Sequence, residues 1–388
     1  MRADFLIIGG GIAGLSAAAR LARHGKAVVL EGEEALGYHA SGRSVSFSHY
    51  GIGNAAVRGM TAWSRPFFEA PPARFADAPI ARTMSTLYFA GEAQLPALLA
   101  LQAEMHAYTD AIETVDAARM AALCPLLRTG GEGAVQGLFD PTGLKLDAAA
   151  MLHGHAKAVR AAGGAVLTGR RVATVAPRDG WTVTTEGGET FSAPILVNAA
   201  GAWGDRIAAL AGVAPLGLSP RRRTIIVIDP PEGVDASAWP FIHSAAGDFY
   251  LLPEAGQLLA SPADEEEDDP CDAAPSDYDV ALTAHRVEQY MDLAVRRVAH
   301  RWAGLRSFVA DRTPTAGFDP QAPGFFWLIG QGGYGLQTSP AMAAIVEALV
   351  THAAWPEGLA GRGVLPDAVR PERLRAAAVG SSHPAQPH

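Results

Sequence analysis

The sequence predicts an α/β fold of two-domain (α+β) type, with a Rossmann-like domain and a second domain built on a mostly antiparallel sheet. Residues 4–31 contain an apolar run, a glycine-rich turn, an Ala-rich helix and a second apolar run, which together form a βαβ unit. Short apolar runs separated by turn residues over 224–260 predict adjacent antiparallel strands. A last apolar run, 325–330, precedes another glycine turn and a helix.

The opening turn carries three glycines at the spacing of a dinucleotide-binding loop. Gly9 allows a tight turn, Gly11 lets the backbone approach a pyrophosphate, and Gly14 lets the helix pack on the sheet. Glu31, at the end of the second strand, is placed to accept hydrogen bonds from a ribose. The strand–helix–strand context favours a dinucleotide site over a structural unit that merely needs small residues.

Loops and helices of a different character follow the βαβ unit. Residues 37–44 are rich in glycine and serine, which suits either a second phosphate contact or a plain connection. Glycines bracket His49 and Tyr50 within 47–54, which suits either a mobile flap over a pocket or an exposed loop. The elements predicted next are helices over 55–68, 95–106, 116–123 and 147–162, a strand over 86–90 and a turn at 140–143.

Strands resume after residue 163. An acidic run, 264–270, is predicted to be a solvated loop, and the arginines Arg221 and Arg222 are predicted to face solvent. A long helix is predicted over 281–298. The predicted strands are 164–167, 171–175, 181–185, 194–198, 224–228, 249–252 and 257–260.

The second glycine turn, like the first, lies between an apolar run and a predicted helix. Gly332, Gly333 and Gly335 precede a helix that runs through Leu349, with Pro340 in a first-turn position. The free N–H groups of the turn and the positive end of the helix dipole would suit an anion. Alternatively, the glycines serve no ligand and only allow the turn to pack tightly. Residues 376–388 are predicted to be a disordered tail.

Composition limits the partners and the compartment. The net charge is −9, the isoelectric point is near 5.7, and no basic stripe indicates nucleic-acid binding. Cys124 and Cys271 lie far apart without metal-ligand spacing, so we expect no metal site and a cytoplasmic location. No stretch approaches the ~18 to 20 apolar residues of a membrane span, which leaves peripheral membrane contact open.

Five motifs occur along the chain in the order typical of one known protein family. They are Gly9-x-Gly11-x-x-Gly14 with Glu31, Gly42-Arg43-Ser44, Leu196 to Trp203, Trp302 to Ser307, and Gln331-Gly332-Gly333-Tyr334-Gly335. Together they resemble the D-amino-acid oxidase and glycine oxidase superfamily of FAD-dependent flavoproteins. Within it the closest resemblance is to bacterial D-arginine dehydrogenases, and it covers about residues 3–375.

The resemblance implies an FAD-binding domain from residues 1–45, 148–215 and 315–375, and a substrate domain from 46–147 and 216–314. It also implies non-covalent FAD, because neither cysteine stands where related sarcosine oxidases attach the cofactor. The FAD-binding residues that it implies are Gly9, Gly11, Ile12, Ala13, Gly14, Glu31, Gly42, Arg43, Ser44, Val172, Ala200, Gly201, Trp203, Arg306, Gly332, Gly333, Tyr334, Gly335, Leu336, Gln337 and Thr338.

The family's substrate-binding positions are also matched. The resemblance places Arg223 and Arg306 on the substrate carboxylate, with Tyr250 as an additional donor. A planar guanidinium suits this role because it can donate two parallel hydrogen bonds to a carboxylate. The backbone carbonyl of Gly333 is expected to accept a hydrogen bond from the substrate amine.

The side-chain pocket departs from the D-arginine enzymes. Their carboxylate for a cationic side chain aligns at Thr86, and the strand 85–89 has no acid. Their flap histidine and tyrosine align at Phe47 and Ile52. Because a buried guanidinium without a counter-charge is costly, D-arginine and D-lysine should be poor substrates. These residues and Phe241 predict an apolar or aromatic pocket instead.

Two histidines, His49 and His243, are further candidates near this pocket. A flap histidine can act as a general base or can simply hydrogen-bond in place. We count His49 among the catalytic candidates and keep both roles open.

The sequence thus predicts an FAD-dependent dehydrogenase or oxidase of an α-amino acid, most simply a neutral or apolar D-amino acid. Hydride transfer from Cα to flavin N5 would give an imino acid, which water converts to a 2-oxo acid. The electron acceptor is a quinone or O2, and the chain is a monomer or a dimer. The alternatives are a secondary amine (an N-methyl or cyclic amino acid), a 2-hydroxy acid with His49 as base, and a non-catalytic electron-transfer subunit.

Overall fold

The computed structural model describes residues 1–375, so the predicted disordered tail at 376–388 lies outside the described residues. Within 1–375 there are eight α-helices, and twenty β-strands form four sheets. The helices are α1 (Ile12–Leu21), α2 (Ala55–Glu69), α3 (Leu95–His106), α4 (Ala117–Leu123), α5 (Ala148–Ala161), α6 (Gly204–Leu210), α7 (Asp277–Tyr290) and α8 (Gly335–Thr351). The strands are β1 (Phe5–Ile8), β2 (Ala27–Leu30), β3 (Phe47–Ser48), β4 (Ala81–Thr83), β5 (Thr86–Ala90), β6 (Glu113–Asp116), β7 (Gln136–Asp140), β8 (Leu144–Leu146), β9 (Ala165–Leu167), β10 (Val172–Pro177), β11 (Trp181–Thr185), β12 (Thr190–Ala193), β13 (Ile195–Asn198), β14 (Ser219–Ile228), β15 (Phe241–Ser244), β16 (Tyr250–Glu254), β17 (Gln257–Ser261), β18 (His300–Phe308), β19 (Thr315–Phe318) and β20 (Phe325–Ile329).

The first sheet has six strands in the order β19–β20–β13–β1–β2–β9, parallel except for the pair β19 and β20. One face packs on α1, α5 and α8, and the other packs on α6 and the antiparallel meander β10–β11–β12. Because both faces are covered, β1 and β2 are apolar throughout. The carboxyl ends of β1, β2, β13 and β20 share one edge, so the turns that follow these strands meet there.

The second sheet has eight strands in the order β18–β14–β17–β16–β15–β5–β7–β6. Six of its seven pairings are antiparallel, and β5 with β15 is the parallel one, which confirms a mostly antiparallel sheet. In the β14–β18 register, Arg223 lies opposite Gly304 and Arg221 lies opposite Arg306. Since alternate residues share a face, Arg223 and Arg306 are diagonal neighbours on one side of the sheet.

The segment that was predicted to be a flap or an exposed loop is buried at its start. All residues from 45 to 50 are buried, and Phe47 and Ser48 pair with Lys145 and Leu144 in the small sheet β3–β8–β4. The His49 backbone N–H also donates to Gln337 Oε1 at 3.2 Å. An ordinary exposed loop is therefore excluded for this stretch.

Two helix predictions were wrong in detail. Helix α7 ends at Tyr290, short of the predicted 298, because Met291 is extended and bridges to Leu127. Pro340 is the sixth residue of α8 and does not lie in its first turn. A proline lacks the N–H that would bond four residues back, and the Ser339 hydroxyl donates to that carbonyl, Leu336 O, at 2.9 Å.

Across residues 1–375, none of the helices combines the length and the apolar character needed to cross a membrane.

Candidate functional site

The opening glycine turn leaves no room for side chains at two of its three positions. Gly9 has a φ of +113°, and a Cβ there would lie 2.3 Å from Ala199 O. A Cβ on Gly14 would lie 2.0 Å from Gly9 O, so this glycine lets α1 pack on β1. Gly11 caps α1, and a Cβ there would meet the Ser41 hydroxyl oxygen at 3.3 Å. Gly11, Ile12 and Ala13 line a cavity, so the N-terminus of this helix is accessible to a ligand.

A cavity of about 450 Å³ extends from this turn to the second glycine turn. Its volume lies in the usual range of small-molecule sites, about 300 to 1,000 Å³. The open helix terminus and the glycine-lined wall fit a pyrophosphate-containing cofactor. The predicted cofactor residues that line it are Gly9, Gly11, Ile12, Ala13, Glu31, Arg43, Ser44, Val172, Ala200, Gly201, Trp203, Arg306, Gly332, Gly333, Gly335 and Leu336.

Five predicted cofactor residues do not line this cavity. Tyr334 and Gln337 line a second, adjoining cavity. Gly14, Gly42 and Thr338 line neither: a Cβ on Gly42 would collide with a loop carbonyl at 2.6 Å, and the Thr338 hydroxyl donates to Tyr334 O at 2.9 Å. These residues shape the turns behind the cavity, and a cofactor contact from them stays a prediction.

Two polar side chains are fixed at the end of the cavity nearest β2. Glu31 accepts from Gly10 N at 2.7 Å through Oε2 and from Glu33 N at 2.8 Å through Oε1. Each carboxylate oxygen keeps a lone pair, so hydrogen bonds from a ribose remain feasible. Ser41, which the sequence analysis missed, accepts from Ile12 N at 3.0 Å at the start of α1. Its position in a serine-rich loop was the available signal.

Arg43 lines the cavity, but its guanidinium is already engaged. It donates to the carbonyls of Tyr38 at 3.1 Å, Ala273 at 2.9 Å and Ala303 at 3.0 Å, and it pairs with Asp272. Arg43 therefore ties the 37–44 loop to β18 and the segment before α7.

The two thiols have different surroundings. Cys124 is buried in the core of the second sheet, and burial raises its pKa to about 12. Cys271 lines the first cavity, and burial is the main cause of its raised pKa. Because a thiolate is the reactive form, both raised pKa values disfavour attack by these cysteines on a bound group.

A second cavity of about 770 Å³ adjoins the first. His49 lines only the second cavity, whereas the other four predicted catalytic residues line both. Four of the five candidates therefore lie where the cavities meet, and His49 lies on the wall of the second cavity. The residues common to the two cavities are Ser44, Val45, Arg223, Tyr250, Arg306, Gly333 and Leu336.

Arg306 presents the least compensated charge at this junction. A Cβ on Gly333 would lie 2.9 Å from its Nη1, so a glycine is what admits the guanidinium beside the second turn. Burial, and then the charge of Arg223, lower the pKa of Arg306 to about 10, which still leaves it protonated at neutral pH. The nearby carboxylates of Asp264 and Glu265 pair with other arginines.

Tyr250 places a hydroxyl without a partner beside these arginines. The residue is 5% exposed, and its hydroxyl has no hydrogen-bond partner among the described residues. The guanidinium carbon of Arg223 lies 5.9 Å from its ring centre. Since buried polar groups are normally hydrogen-bonded, an unpaired hydroxyl at a cavity wall indicates a place for a ligand.

The acidic run was wrongly predicted to be a solvated loop at its first residues. The Asp264 side chain is only 4% exposed, accepts from Thr224 N at 2.7 Å and Thr224 Oγ1 at 2.9 Å, and lies 3.7 Å from Arg223 Nε. Glu265 accepts two hydrogen bonds from Arg312, at 2.8 and 2.7 Å, and one from Arg223 at 3.4 Å. The run thus lies along the edge of β14 as a counter-charge to its arginines.

The other arginines of β14 also differ from the prediction. Arg222 is 19% exposed and pairs with Asp268 and Asp279, both at 3.2 Å. Arg221 donates to Glu265 O at 3.2 Å. Neither side chain simply faces solvent, because the acidic run covers this part of the strand.

The charges at the junction leave one positive charge uncompensated. Arg223, Arg306 and Arg312 face the carboxylates of Asp264 and Glu265. Asp311, the other charged residue that lines the second cavity, is balanced by Arg373, which pairs with it from outside the cavity. This balance suits a ligand with a single negative charge.

Six rings form one wall of the second cavity, which we call the ring wall: Phe47, His49, Tyr88, Phe241, His243 and Tyr250. The centre of the His243 ring lies 4.0 Å from that of Phe241, 5.0 Å from that of Tyr88 and 5.1 Å from that of His49. The rings of Phe47 and Phe241 lie 4.7 Å apart.

Both imidazoles of the ring wall are neutral. Burial, followed by the charges of Arg58 and Arg306, lowers the pKa of His49 to about 3. Burial and neighbouring charges also lower the pKa of His243 well below its ordinary value. His49 Nδ1 is hydrogen-bonded to the Tyr88 hydroxyl.

Thr86, which aligns with the acid of the D-arginine enzymes, does not line either cavity. It is fully buried opposite Asp140 in the β5–β7 pairing, and Asp140 is also buried and lines neither cavity. The position of β5 that lines the cavity is Tyr88, two residues later on the same face. The acids that do line the second cavity, Glu265 and Asp311, are paired with arginines, and the apolar character of the side-chain pocket stays a prediction.

A family model described as "FAD dependent oxidoreductase" (DAO) matches residues 4–349 of this chain. The chain is 29% identical over 181 residues to FAD-dependent oxidoreductase domain-containing protein 1 of Xenopus laevis, and 31% identical over 176 residues to that of Bos taurus. These matches cover 42% and 40% of this chain but only 36% and 35% of those longer proteins.

Solved structures share the fold over most of their length. The FAD-bound L-α-glycerophosphate oxidase of Mycoplasma pneumoniae has a TM-score of 0.80 at 20% identity, with 90% of this chain and 95% of that chain covered. The L-proline dehydrogenase of P. horikoshii has a TM-score of 0.80 at 18% identity, with 97% and 98% covered. Glycine oxidase of Geobacillus kaustophilus has a TM-score of 0.77 at 21% identity, with 91% and 95% covered.

The two meeting cavities, the glycine turns at the edge of the parallel sheet and the match over residues 4–349 lead to one conclusion: this chain belongs to the DAO family of FAD-dependent oxidoreductases.

Proposed function

We propose that this flavoprotein oxidises the Cα–N bond of a neutral, apolar α-amino acid, with the D enantiomer as substrate. The observation that carries the proposal is the junction of the two cavities, which is lined by both the uncompensated positive charge of Arg306 and the unpaired hydroxyl of Tyr250. A carboxylate would balance the charge of Arg306 and accept a hydrogen bond from the Tyr250 hydroxyl. The substrate carboxylate therefore binds there.

Arg306 is the principal carboxylate anchor in this proposal. Its guanidinium can donate two parallel hydrogen bonds, and Tyr250 can add a third. Arg223 contributes less than the sequence suggested, because its Nε donates to Asp264 O at 2.7 Å and its Nη2 donates to Glu265. Its Nη1 remains available to orient the substrate.

The Gly333 turn receives the substrate amine, and the ring wall receives its side chain. With the carboxylate fixed at Arg306, the Gly333 carbonyl accepts from the amine and leaves the Cα–H directed at the first cavity. FAD, when bound, supplies the two-electron acceptor for this oxidation. The imino acid product is hydrolysed by water to a 2-oxo acid and ammonia.

The residues of the first cavity suit non-covalent FAD. Glu31 and the N-terminus of α1 would hold the ribose and pyrophosphate, and the Gly332–Gly335 turn would border the flavin ring. The raised thiol pKa of Cys271 supports retention of the cofactor without a covalent bond.

His49 serves to position the substrate rather than to remove a proton. A base whose conjugate acid has a pKa of about 3 is too weak to accept a hydroxyl proton efficiently at neutral pH. This weakens the 2-hydroxy acid alternative, which needs such a base. An amino acid with a deprotonated amine needs no side-chain base.

Anaerobic mixing of the FAD-loaded protein with single substrates tests the proposal. Loss of the visible flavin absorbance is followed with both enantiomers of neutral and basic amino acids, N-methyl amino acids and 2-hydroxy acids. We expect reduction by neutral D-amino acids, with one ammonia released per 2-oxo acid. Faster reduction by D-arginine, by L enantiomers or by 2-hydroxy acids would contradict it. Repetition with O2 and with a soluble quinone identifies the acceptor.

A further inference from the structure

We propose that the ring wall selects an aromatic side chain, so that the substrate is an aromatic α-amino acid. This inference rests on the proposed function, because it assumes that the substrate carboxylate lies at Arg306. It adds a substrate class to the neutral side chain already argued.

The first step is that the ring wall is a single packed surface. His243 stands at its centre, with its ring inclined 19° to Tyr88 and 48° to Phe241. Phe47 extends the wall on one side through Phe241, and Tyr250 joins it on the carboxylate side, with its ring centre 5.5 Å from that of Phe241. The wall thus runs from the carboxylate anchor into the second cavity.

The second step is that ring geometry distinguishes aromatic from aliphatic ligands. Offset-stacked and edge-to-face ring pairs stabilise contacts by about 0.5 to 1.5 kcal/mol beyond their area, which corresponds to about twofold to tenfold in affinity. An aliphatic chain of equal size gains only the area term. A wall built from rings therefore favours a ring.

The third step excludes a cation, which a box of rings could also bind. The junction already carries an uncompensated positive charge, and Arg223 and Arg306 lie beside Tyr250. The neutral imidazoles of His49 and His243 supply no negative charge. A cationic side chain would meet repulsion without a counter-ion.

Unreactive carboxylates separate this inference from turnover. 3-Phenylpropanoate and 3-cyclohexylpropanoate have the same connectivity and nearly the same size, but only the first has an aromatic ring. Their dissociation constants are measured with the FAD-loaded protein by titration calorimetry. We expect 3-phenylpropanoate to bind about twofold to tenfold more tightly, although the cyclohexyl compound is the more hydrophobic.

Variants of the wall test which residues are responsible. Tyr88→Leu and His243→Val remove one ring each, and each should bring the phenyl-to-cyclohexyl ratio to one or below. Tyr278→Leu and His106→Val remove exposed rings that line neither cavity and should leave the ratio unchanged. If either wall variant fails to fold, the wild-type comparison still decides.

The outcomes distinguish the two proposals. Equal or tighter binding of the cyclohexyl compound to the wild-type protein overturns the aromatic inference, as does an unchanged ratio in both folded wall variants. Flavin reduction by D-leucine, together with such a result, leaves the proposed function standing. Preferential phenyl binding with no flavin reduction by any amino acid leaves the ring-wall inference standing and overturns the proposed oxidation.

Discussion

Arg306 is the position where a single substitution should affect substrate binding most. Its guanidinium has no carboxylate partner within the site, because Asp264 and Glu265 are engaged elsewhere. Arg306→Met should lower kcat/KM by about 10²- to 10³-fold, since the substrate carboxylate would then be buried without its positively charged partner. Arg306→Lys keeps the charge but loses the paired donors, and should cost about tenfold. Steady-state kinetics on the best substrate measures both.

Arg301 offers a matched control on the same strand. It is half-exposed, and within residues 1–375 its ion pair is with the exposed Asp277 alone. Arg301→Met should therefore leave kcat/KM within about twofold, as expected for a surface ion pair. A loss as large as that of Arg306→Met would mean that strand β18 is generally sensitive and that the anchor role is misassigned.

Side-chain identities in the substrate site were only partly predictable. The sequence pointed to Phe47, Phe241, His49 and His243, and all four line the second cavity. It pointed to Thr86 where the structure places Tyr88, because two positions on one strand face are equivalent until the depth of the cavity is known.

Strand β1 and helix α1 depend on a glycine at their contact. A Cβ on Gly14 would lie 2.0 Å from the carbonyl of Gly9 and 3.2 Å from Ile7 Cγ2, so the helix must move. Gly14→Ala should cause loss of FAD during gel filtration, measured as the ratio of flavin to protein absorbance. Gly361→Ala, where a Cβ has no neighbour within 4 Å, should retain FAD like the wild type. Equal retention in both variants would contradict the packing role.

Strand β14 and the acidic run form one electrostatic unit. Removing one partner of a buried ion pair typically costs about 3 to 5 kcal/mol, because the other charge remains buried. Asp264→Asn should approach the lower end of this range in the free energy of unfolding, since Glu265 still faces Arg223. Urea unfolding of the FAD-loaded protein measures it.

The matched control for that change is Asp269→Asn in the same acidic run. Asp269 is 94% exposed and lies 3.9 Å from Arg206. Its substitution should alter the free energy of unfolding by less than about 0.5 kcal/mol. Similar losses for both aspartates would show that the run acts only through its total charge.

The acidic run also shows where local sequence misled the prediction. Consecutive acids are normally solvated, and nothing in 264–270 alone indicates otherwise. Its partners on β14 lie about 40 positions earlier, as with Thr224 and Asp264. The pairing exists because the sheet brings the run alongside the three arginines.

The stability of the folded chain should fall as the pH drops below 6.5. His49 and His155 have folded-state pKa values of about 3, below the ordinary 6.5, and that of His243 is also lowered. Between these limits the unfolded chain binds more protons, so stability is complete above pH 6.5 and is lost toward pH 3. Each histidine contributes about 1.4 kcal/mol per pH unit to the slope.

His155 allows this slope to be tested away from the cavities. It is buried between the rings of Phe67 and Phe75, and its Nε2 has no partner among the described residues. His155→Leu should reduce the slope of unfolding free energy between pH 6 and 4 by about 1.4 kcal/mol per unit. His153→Leu, on the exposed face of the same helix, should not change it. Equal slopes for the wild type and His155→Leu would contradict the lowered pKa.

The part of this protein that binds the cofactor could largely be predicted from the sequence. The spacing of Gly9, Gly11 and Gly14 predicts a strand, a turn and a helix because the constraints are local: a positive φ and the space denied to a Cβ. The family match over residues 4–349 confirms FAD dependence. The assignment of individual contacts and the division into two domains stay predictions.

The substrate end was decided by the tertiary structure. Phe47, Tyr88 and His243 come from strands β3, β5 and β15, and their common wall exists only once these strands are brought together. The charge of Arg306 stands out for a similar reason, because the fold assigns Asp264 and Glu265 to Arg223 and Arg312. Turn geometry is determined by residues that are neighbours in the sequence, whereas charge balance and cavity shape depend on contacts between residues that are distant in the sequence.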